Sequence, residues 1–518
     1  MRTAWSVVPA PPRSPADSGA ATRPEATPAG AAPDAPRRLA RLRTPYALSI
    51  GAITAAGLGA RLVALGHQSL WRDEAFTLLV SRRSWLDMYA AVRSDSAPPL
   101  SYALTHLAAS ASGTVAAVRL PAALAGTAVI PLGAAVGRRL GGAWAGICAA
   151  LVCAVTPAAV LPARDARMYA LAGALVLAMA LTAWRAAERP GAGRLAAHGA
   201  VVAAALLTDY FAAFAAVAVL AGAALALRVE ARTLARIAAA TAAGGAVLLL
   251  WLPFATAQLH HAQQPFWVPP VGGDSTLGVL TQFLVGPAVD SDLPQRDTTI
   301  LLQTLCLFGA SLAGALVLFA VPWDPSRRRR AVAYVFIAGF GAAVLMFLVS
   351  LAHPILDARY VSVVWTPLFP LLGLGLSRLR WAAALPLAAM AAATWALCSW
   401  PTRADVETLV HENLDSRVGP ADLVLVSPDT YLQVLVYADG ATAARTHIEA
   451  TSLPWYWGVA AFPPGALLPS VPAGAQRIDV VTQPGDDQPA IPSDHVATGT
   501  HCATRVCVTV YEPRASPP

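Results

Sequence analysis

Trp71-Arg72-Asp73-Glu74-Ala75 places two adjacent carboxylates just beyond the first long apolar segment of a chain in which only 13% of residues are charged. A carboxylate beside hydrocarbon is costly and is retained where a reaction or a transport step needs it. Related groups recur at Asp95, at Arg164-Asp165 with Arg167 and Tyr169, at Asp209-Tyr210, and at His353, Asp357 and Arg359-Tyr360. Each has a plainer reading. Asp73 also suits the cap of a helix beginning at Glu74, and Glu74 reads more readily as a supporting acid than as a second base. Arg164, Asp165 and Arg167 also suit a local ion-pair cluster, and Tyr169, Tyr210 and Tyr360 an interfacial aromatic belt. Arg72, Arg82, Arg83 and Arg93 also suit solvent or lipid headgroups, the preferred reading for Arg82 and Arg83. His67, His260, His261 and His353 have no partner visible in sequence.

The elements that position these residues are membrane spans. Hydrophobic residues make up 56% of 518 and mean hydropathy is +0.54. Apolar stretches near the ~20 residues a bilayer requires recur from residue 45 to about 398. Every Lys-or-Arg position is Arg. The net charge of +7 and pI near 9.3 do not indicate nucleic acid, because the guanidiniums lie in short loops between spans and form no single basic face.

We place spans near 45–65, 115–137, 143–161, 168–186, 195–208, 210–228, 234–254, 298–320, 331–352, 360–377 and 381–398, about eleven in all. Threaded alternately from a cytoplasmic tail, they put Arg138-Arg139, Arg185, Arg189, Arg194 and the run Arg327 to Arg330 inside, and fewer Arg outside, as the positive-inside rule requires. The stretch from Pro98 to Gly113 is short, begins Pro98-Pro99 and carries His106, so it reads as an interfacial helix on the outer surface. Counting it as a span would invert the Arg bias downstream. With this threading the acids, Arg and Tyr named above gather at one membrane face.

Residues 1–44 read as a disordered cytoplasmic tail, 45–400 as a membrane domain and 401–518 as a small extracytoplasmic α/β domain. Short β-like runs at 422–426 and 478–481 and frequent Pro and Gly support the last assignment. Cys502 and Cys507 fall in it, where an outer location permits a disulfide that spacing alone does not decide. No Cys/His group has metal-finger spacing, and no Gly-rich phosphate loop follows a strand.

Ser69-Leu-Trp-Arg-Asp-Glu-Ala75, Asp95-Ser-Ala-Pro-Pro-Leu-Ser-Tyr102, Arg119-Leu-Pro121, Gly137-Arg-Arg-Leu-Gly141 and Ala163-Arg-Asp-Ala-Arg-Met-Tyr169 follow one another in an order that resembles the bacterial relatives of protein O-mannosyltransferases and of lipid A aminoarabinose transferase. These are GT-C glycosyltransferases that use polyprenyl-phosphate sugars. The resemblance covers about residues 45 to 230, with Arg359-Tyr360 a looser later match. It departs where Asp165 replaces a frequent Glu and Asp209 a frequent His. It implies an all-α polytopic GT-C-like membrane fold in the cell membrane. The implied reaction moves a sugar, mannose or another hexose or pentose, from a polyprenyl-phosphate donor to an extracytoplasmic glycan, lipid or protein, with inversion.

The resemblance makes Asp73 the general base, with Glu74 as the second catalytic acid. Arg164, Arg167 and Arg359 become candidates for the leaving phosphate, because guanidinium forks match its oxygens. Asp95, Asp165, Tyr169, Asp209, Tyr210 and Tyr360 complete the expected substrate site. A divalent metal is an open cofactor, since Asp73 and Glu74 alone are too few ligands to define a site. The other readings are a polytopic transporter, which calls for repeats and charges near the membrane midplane, and a non-catalytic binder of lipid-linked saccharides.

Overall fold

The computed structural model describes residues 45–262 except 96, residues 267–273, 276, 279, 314 and 327–399, and residues 403–514 except 416 and 473. The chain leaves its first apolar helix, α1 (Pro45–Leu62), and crosses a surface of three short helices, α2 (Arg72–Ser81), α3 (Trp85–Arg93) and α4 (Leu100–Ala111). At 12 residues α4 is too short to span. Its Tyr102 and Thr105 are buried against the neighbouring helices while Leu107 stays exposed, as an interfacial helix requires.

Helix α5 (Val115–Val155) is unbroken in hydrogen bonding but not in direction. Gly142 sits at φ 85°, a left-handed conformation that glycine adopts without a Cβ clash, and the chain turns back on itself there. Gly133, Gly137 and Gly141 lie four apart on the first arm and face small residues of the second. A methyl group on Gly137 would stand 2.6 Å from Ala149 Cβ, and one on Gly133 2.6 Å from Cys153 Sγ. Two helices meet here as closely as small side chains permit. The expected spans 115–137 and 143–161 are these two arms.

The expected order of spans continues in α6 (Tyr169–Glu188), α7 (Ala192–Thr208), α8 (Ala212–Leu225), α9 (Ala231–Gly245) and α10 (Val247–Ala262). Beyond them lie α11 (Arg327–Phe336), α12 (Ala342–Ser350), α13 (Ala358–Val364), α14 (Phe369–Leu376) and α15 (Ala384–Ser399). Arg380, at φ 52°, separates α14 from α15 where the loop between the last two expected spans was placed. Among the described residues five helical stretches are long and apolar enough to cross a membrane: Val115–Val155, Tyr169–Glu188, Ala231–Phe254, Arg327–Ser350 and Thr366–Ser399. The expected total of about eleven exceeds these five, and the span expected at 298–320 lies outside the described residues.

After α15 the chain builds a six-stranded mixed sheet of order β3-β2-β1-β4-β6-β5. Its strands are β1 (Leu423–Val426), β2 (Thr446–Glu449), β3 (Leu467–Leu468), β4 (Ile478–Thr482), β5 (His495–Ala503) and β6 (Val506–Pro513). Strands β1 to β4 run parallel, and β6 returns antiparallel beside β4. Alternation along β1 sends Leu423 and Leu425 to one face with Ile478 and Val480, and Val424 and Val426 to the other. That second face shares one apolar core with Phe76 and Leu78 of α2. The hairpin of β5 and β6 is closed by a Cys502–Cys507 disulfide. Between β1 and β2, α16 (Tyr431–Tyr437) packs on α2, and the Tyr437 hydroxyl accepts the Leu70 amide at 2.8 Å.

Candidate active site

Helix α2 starts at Trp71, whose side chain makes no capping bond. Asp73 and Glu74 occupy its first turn, where negative charge complements the helix dipole. Asp73 is therefore not the side-chain cap that the alternative reading supposed. One helical step apart, the two acids point into different surroundings.

Asp73 lines a cavity of about 60 Å³ together with Asp95, Arg167, Tyr169, Arg359 and Tyr360. The C-terminal unit closes it with Trp455, Tyr456, Trp457 and Gly458. Gly458, at φ 77°, lets that turn lie on α2, since a Cβ there would stand 3.0 Å from Phe76 and from Leu432. The Asp73 carboxylate accepts Arg72 Nε at 3.2 Å, and its side chain remains 21% exposed. Burial pushes its pKa up, but the charges of Arg72, Arg167 and Arg359 outweigh that and hold it below the usual aspartate value. Asp73 is ionised and open to the cavity.

Besides Arg72, two guanidiniums face it. Arg167 donates through Nη1 to Thr77 Oγ1 at 3.2 Å and to the Tyr102 hydroxyl at 3.3 Å, and that hydroxyl donates to Asp95 at 2.5 Å. Arg167 Nε is buried without a partner among the described residues. Arg359 follows Asp357, which caps α13 by accepting the Arg359 amide at 2.8 Å. Its guanidinium lies over the rings of Trp71 at 4.8 Å and Trp267 at 5.5 Å. A guanidinium held over aromatic rings keeps N–H donors for a further partner.

Glu74 is wholly buried and its oxygens are taken. Arg119 meets it in a fork, Nε to Oε1 and Nη2 to Oε2, both at 2.7 Å; the Ala166 amide donates to Oε1 at 2.7 Å and Arg403 to Oε2. Burial alone would raise its pKa, but Arg119 and Arg403 bring it to about 2. Asp165 sits beside this cluster, accepting Trp71 Nε1 at 2.9 Å, with Arg403 3.9 Å away. Burial and the Glu74 charge raise it to about 7.

Of the expected residues, Asp73, Asp95, Arg167, Tyr169, Arg359 and Tyr360 share the cavity, and Asp165 stands behind it through Trp71. Arg164 lies elsewhere: it donates to the carbonyls of Arg61, Val63 and Ala64 at 3.1, 2.7 and 3.2 Å, completing the end of α1. Asp209 accepts the Phe211 amide at 2.8 Å in a buried turn, where desolvation raises its pKa to about 7. The Tyr210 hydroxyl bonds Gln258 at 2.6 Å and Trp251 at 2.9 Å. Neither lines the cavity.

Residues 95–256 match the family model described as dolichyl-phosphate-mannose-protein mannosyltransferase. ArnT from Cupriavidus metallidurans in the apo state is similar in structure at a TM-score of 0.58 and 14% identity, covering 89% of this chain and 97% of that one. The same protein bound to undecaprenyl phosphate gives 0.55 and 15%, with equal coverage. The Archaeoglobus fulgidus oligosaccharyltransferase gives 0.50 and 13%, covering 78% of this chain and 64% of that one. The chain shares the fold of these proteins, and its stretch 95–256 is similar to the mannosyltransferase family. No curated protein matches it by sequence.

Several residues around the cavity and the buried Glu74 cluster escaped the sequence reading. Arg72, given no role in the sequence, bridges Asp73 to Asp429 at 2.9 Å and lies over the Trp457 ring at 4.7 Å. Arg119 stood in a quoted motif without a role. Arg403 is a single basic residue after the last span, with no local signal. Trp455-Tyr456-Trp457 was visible as an aromatic cluster in an otherwise Pro- and Gly-rich region. Among the described residues no three His, Cys, Asp or Glu gather as a metal site. With Glu74 committed to two guanidiniums and Asp73 beside three, the acids present do not fit a hard cation.

Proposed function

We propose that the chain is a multi-pass cell-membrane glycosyltransferase that moves a sugar from a polyprenyl-phosphate donor to a hydroxyl of an extracytoplasmic glycan, lipid or protein. Asp73 takes the proton of the acceptor hydroxyl as its oxygen attacks the anomeric carbon. The bond from that carbon to the phosphate oxygen breaks, and the electron pair leaves with polyprenyl phosphate. Arg167 and Arg359 receive the charge developing on that phosphate. A single displacement with one base inverts the sugar carbon. The observation that carries this reading is an ionised Asp73 sharing one cavity with two guanidiniums that keep donor capacity. ArnT bound to undecaprenyl phosphate, a protein of similar fold, supports the donor class.

The electrostatics add a feature. The cations that hold the Asp73 pKa down are the ones assigned to the phosphate, so an arriving phosphate relieves that hold and makes Asp73 a stronger base when donor is bound. Metal chemistry has no part in this scheme. To test it, the purified chain is reconstituted in liposomes with radiolabelled polyprenyl-phosphate sugars and envelope-derived acceptors, and labelled product is followed. Wild type should turn over, and Asp73→Asn should lose at least the ~100-fold typical of removing a general base. Undiminished transfer by Asp73→Asn would refute the assignment.

A further inference from the structure

A second cavity, of about 490 Å³, opens between α1, the end of the second arm of α5 and α15. The buried cluster of Glu74, Arg403 and Asp165 stands between it and Asp73. Its lining is layered. Ala60, Val63, Val155, Ala391 and Trp395 line the part between the spans, whereas His67, Ser69, Arg164, Arg403 and Asp405 line the part where α1 and α15 emerge. Trp395 is 69% exposed at the rim, the position of an aromatic belt.

The charge around it is unbalanced. Arg164 has only backbone carbonyls as partners, and so does Arg61, buried behind Ala154 and donating to the carbonyls of Gly57 and Cys153 at 2.9 Å each. Neither has a carboxylate partner among the described residues. Asp405 is the one acid in the lining, and its Oδ1 already accepts the Ser69 hydroxyl at 3.1 Å and the Thr408 amide at 3.2 Å. Arg164, with no carboxylate partner, and Arg403, whose one direct carboxylate partner is Glu74 behind it, stand together at the mouth of an apolar trough and call for a ligand with an anion at one end and hydrocarbon at the other. A free phosphate would leave the trough unfilled.

We propose that this groove binds an anionic membrane phospholipid, its phosphate at Arg164 and Arg403 and one acyl chain along Ala60, Val63, Ala391 and Trp395. The site is distinct from the Asp73 cavity and does not depend on the proposed reaction. It is coupled to the catalytic helix, because Arg403 reaches the lipid phosphate from one side and Glu74 from the other.

The test uses the full chain in phosphatidylcholine nanodiscs containing dibrominated phosphatidylglycerol or dibrominated phosphatidylcholine at equal mole fraction. The Trp395 contribution to quenching is taken as the difference between wild type and Trp395→Phe. Brominated phosphatidylglycerol should quench Trp395 at about fivefold lower mole fraction, the fold-change one guanidinium near an anionic lipid surface provides. Ala391→Phe, which fills the trough, and Arg164→Gln, which removes the charge, should each abolish the preference, and inorganic phosphate should not compete. Equal quenching by the two lipids in the wild-type chain overturns the proposal whatever the variants do. A preference that persists in both folded variants overturns it too, as does displacement of the lipid by polyprenyl phosphate in place of phosphatidylglycerol.

Discussion

Glu74→Gln separates the two adjacent carboxylates by what their loss would cost. Removing one partner of a buried ion pair costs about 3–5 kcal/mol, because the remaining charge stays buried. Glu74 accepts from Arg119 twice, from Ala166 and from Arg403, and a glutamine has one oxygen for those four donors while its amide nitrogen would face a guanidinium. The upper half of that range is therefore expected, a fall in melting temperature on the order of 10 °C. Asp73 differs in surroundings: it is 21% exposed, and Arg72 keeps Asp429 when Asp73 is neutralised. Asp73→Asn should melt within a few degrees of wild type yet transfer little sugar.

The assay is tryptophan-fluorescence melting in detergent, paired with transfer measured well below both transitions and divided by folded protein. Folded Glu74→Gln should retain transfer within several-fold of wild type. The pH dependence follows the same logic. A glutamate lowered to about 2 contributes stability that is present above its ordinary 4.5 and is lost as pH falls toward 2, so wild type should lose more than Glu74→Gln over that interval. A folded Glu74→Gln protein as inactive as Asp73→Asn would sink the structural role and restore Glu74 as a catalytic acid.

If Arg167 and Arg359 receive the phosphate through fork geometry, Lys at either position should impair turnover substantially and Ala more so, whereas Arg164→Ala should lower melting temperature with little change in turnover per folded molecule; equal turnover loss at all three would refute the division. Asp165 and Asp209 are both raised to about 7, so each contributes stability present below the ordinary aspartate value and lost as pH rises from about 4 to 7. Asp165→Asn should remove part of that slope in melting temperature, and an unchanged slope would show that Asp165 titrates normally. For topology, a cysteine in Ala450→Cys should react with an impermeant reagent in intact cells and one in Arg328→Cys only after permeabilisation; the reverse would overturn the outward placement of the site.

What was legible in the sequence was mainly what repeats or alternates. Apolar length located α1, both arms of α5 and the helices that follow, and the breaks at Arg138-Arg139 and Arg378 to Arg380 were visible because Arg cannot lie in hydrocarbon cheaply. The β1 and β4 strands declared themselves as short apolar runs between turn residues. Asp73 was legible as an anomaly. What stayed hidden depends on distance in space: that Glu74 would turn to Arg119, 45 positions away, and to Arg403, 329 positions away, follows from packing that no local pattern encodes. The placement of Arg164 was hidden for the complementary reason: its type and spacing suit the donor phosphate, while in the structure it stands outside the Asp73 cavity against the open carbonyls ending α1. The C-terminal wall of the cavity was missed because aromatic residues in an irregular segment carry no periodicity to point them anywhere.

The turn at Gly142 has a consequence for how the chain reaches its membrane. Its two arms are joined by almost no loop and packed through glycine against alanine and cysteine, a geometry suited to crossing a bilayer side by side. Entry of both arms as one hairpin would let the charges near its tip, Arg138 and Arg139, govern the direction of both crossings at once. A longer connection would let each arm find its orientation separately and correct the other's errors. Here a mistake at the tip would carry every later crossing, and the acid–guanidinium cavity with them, to the wrong side of the membrane.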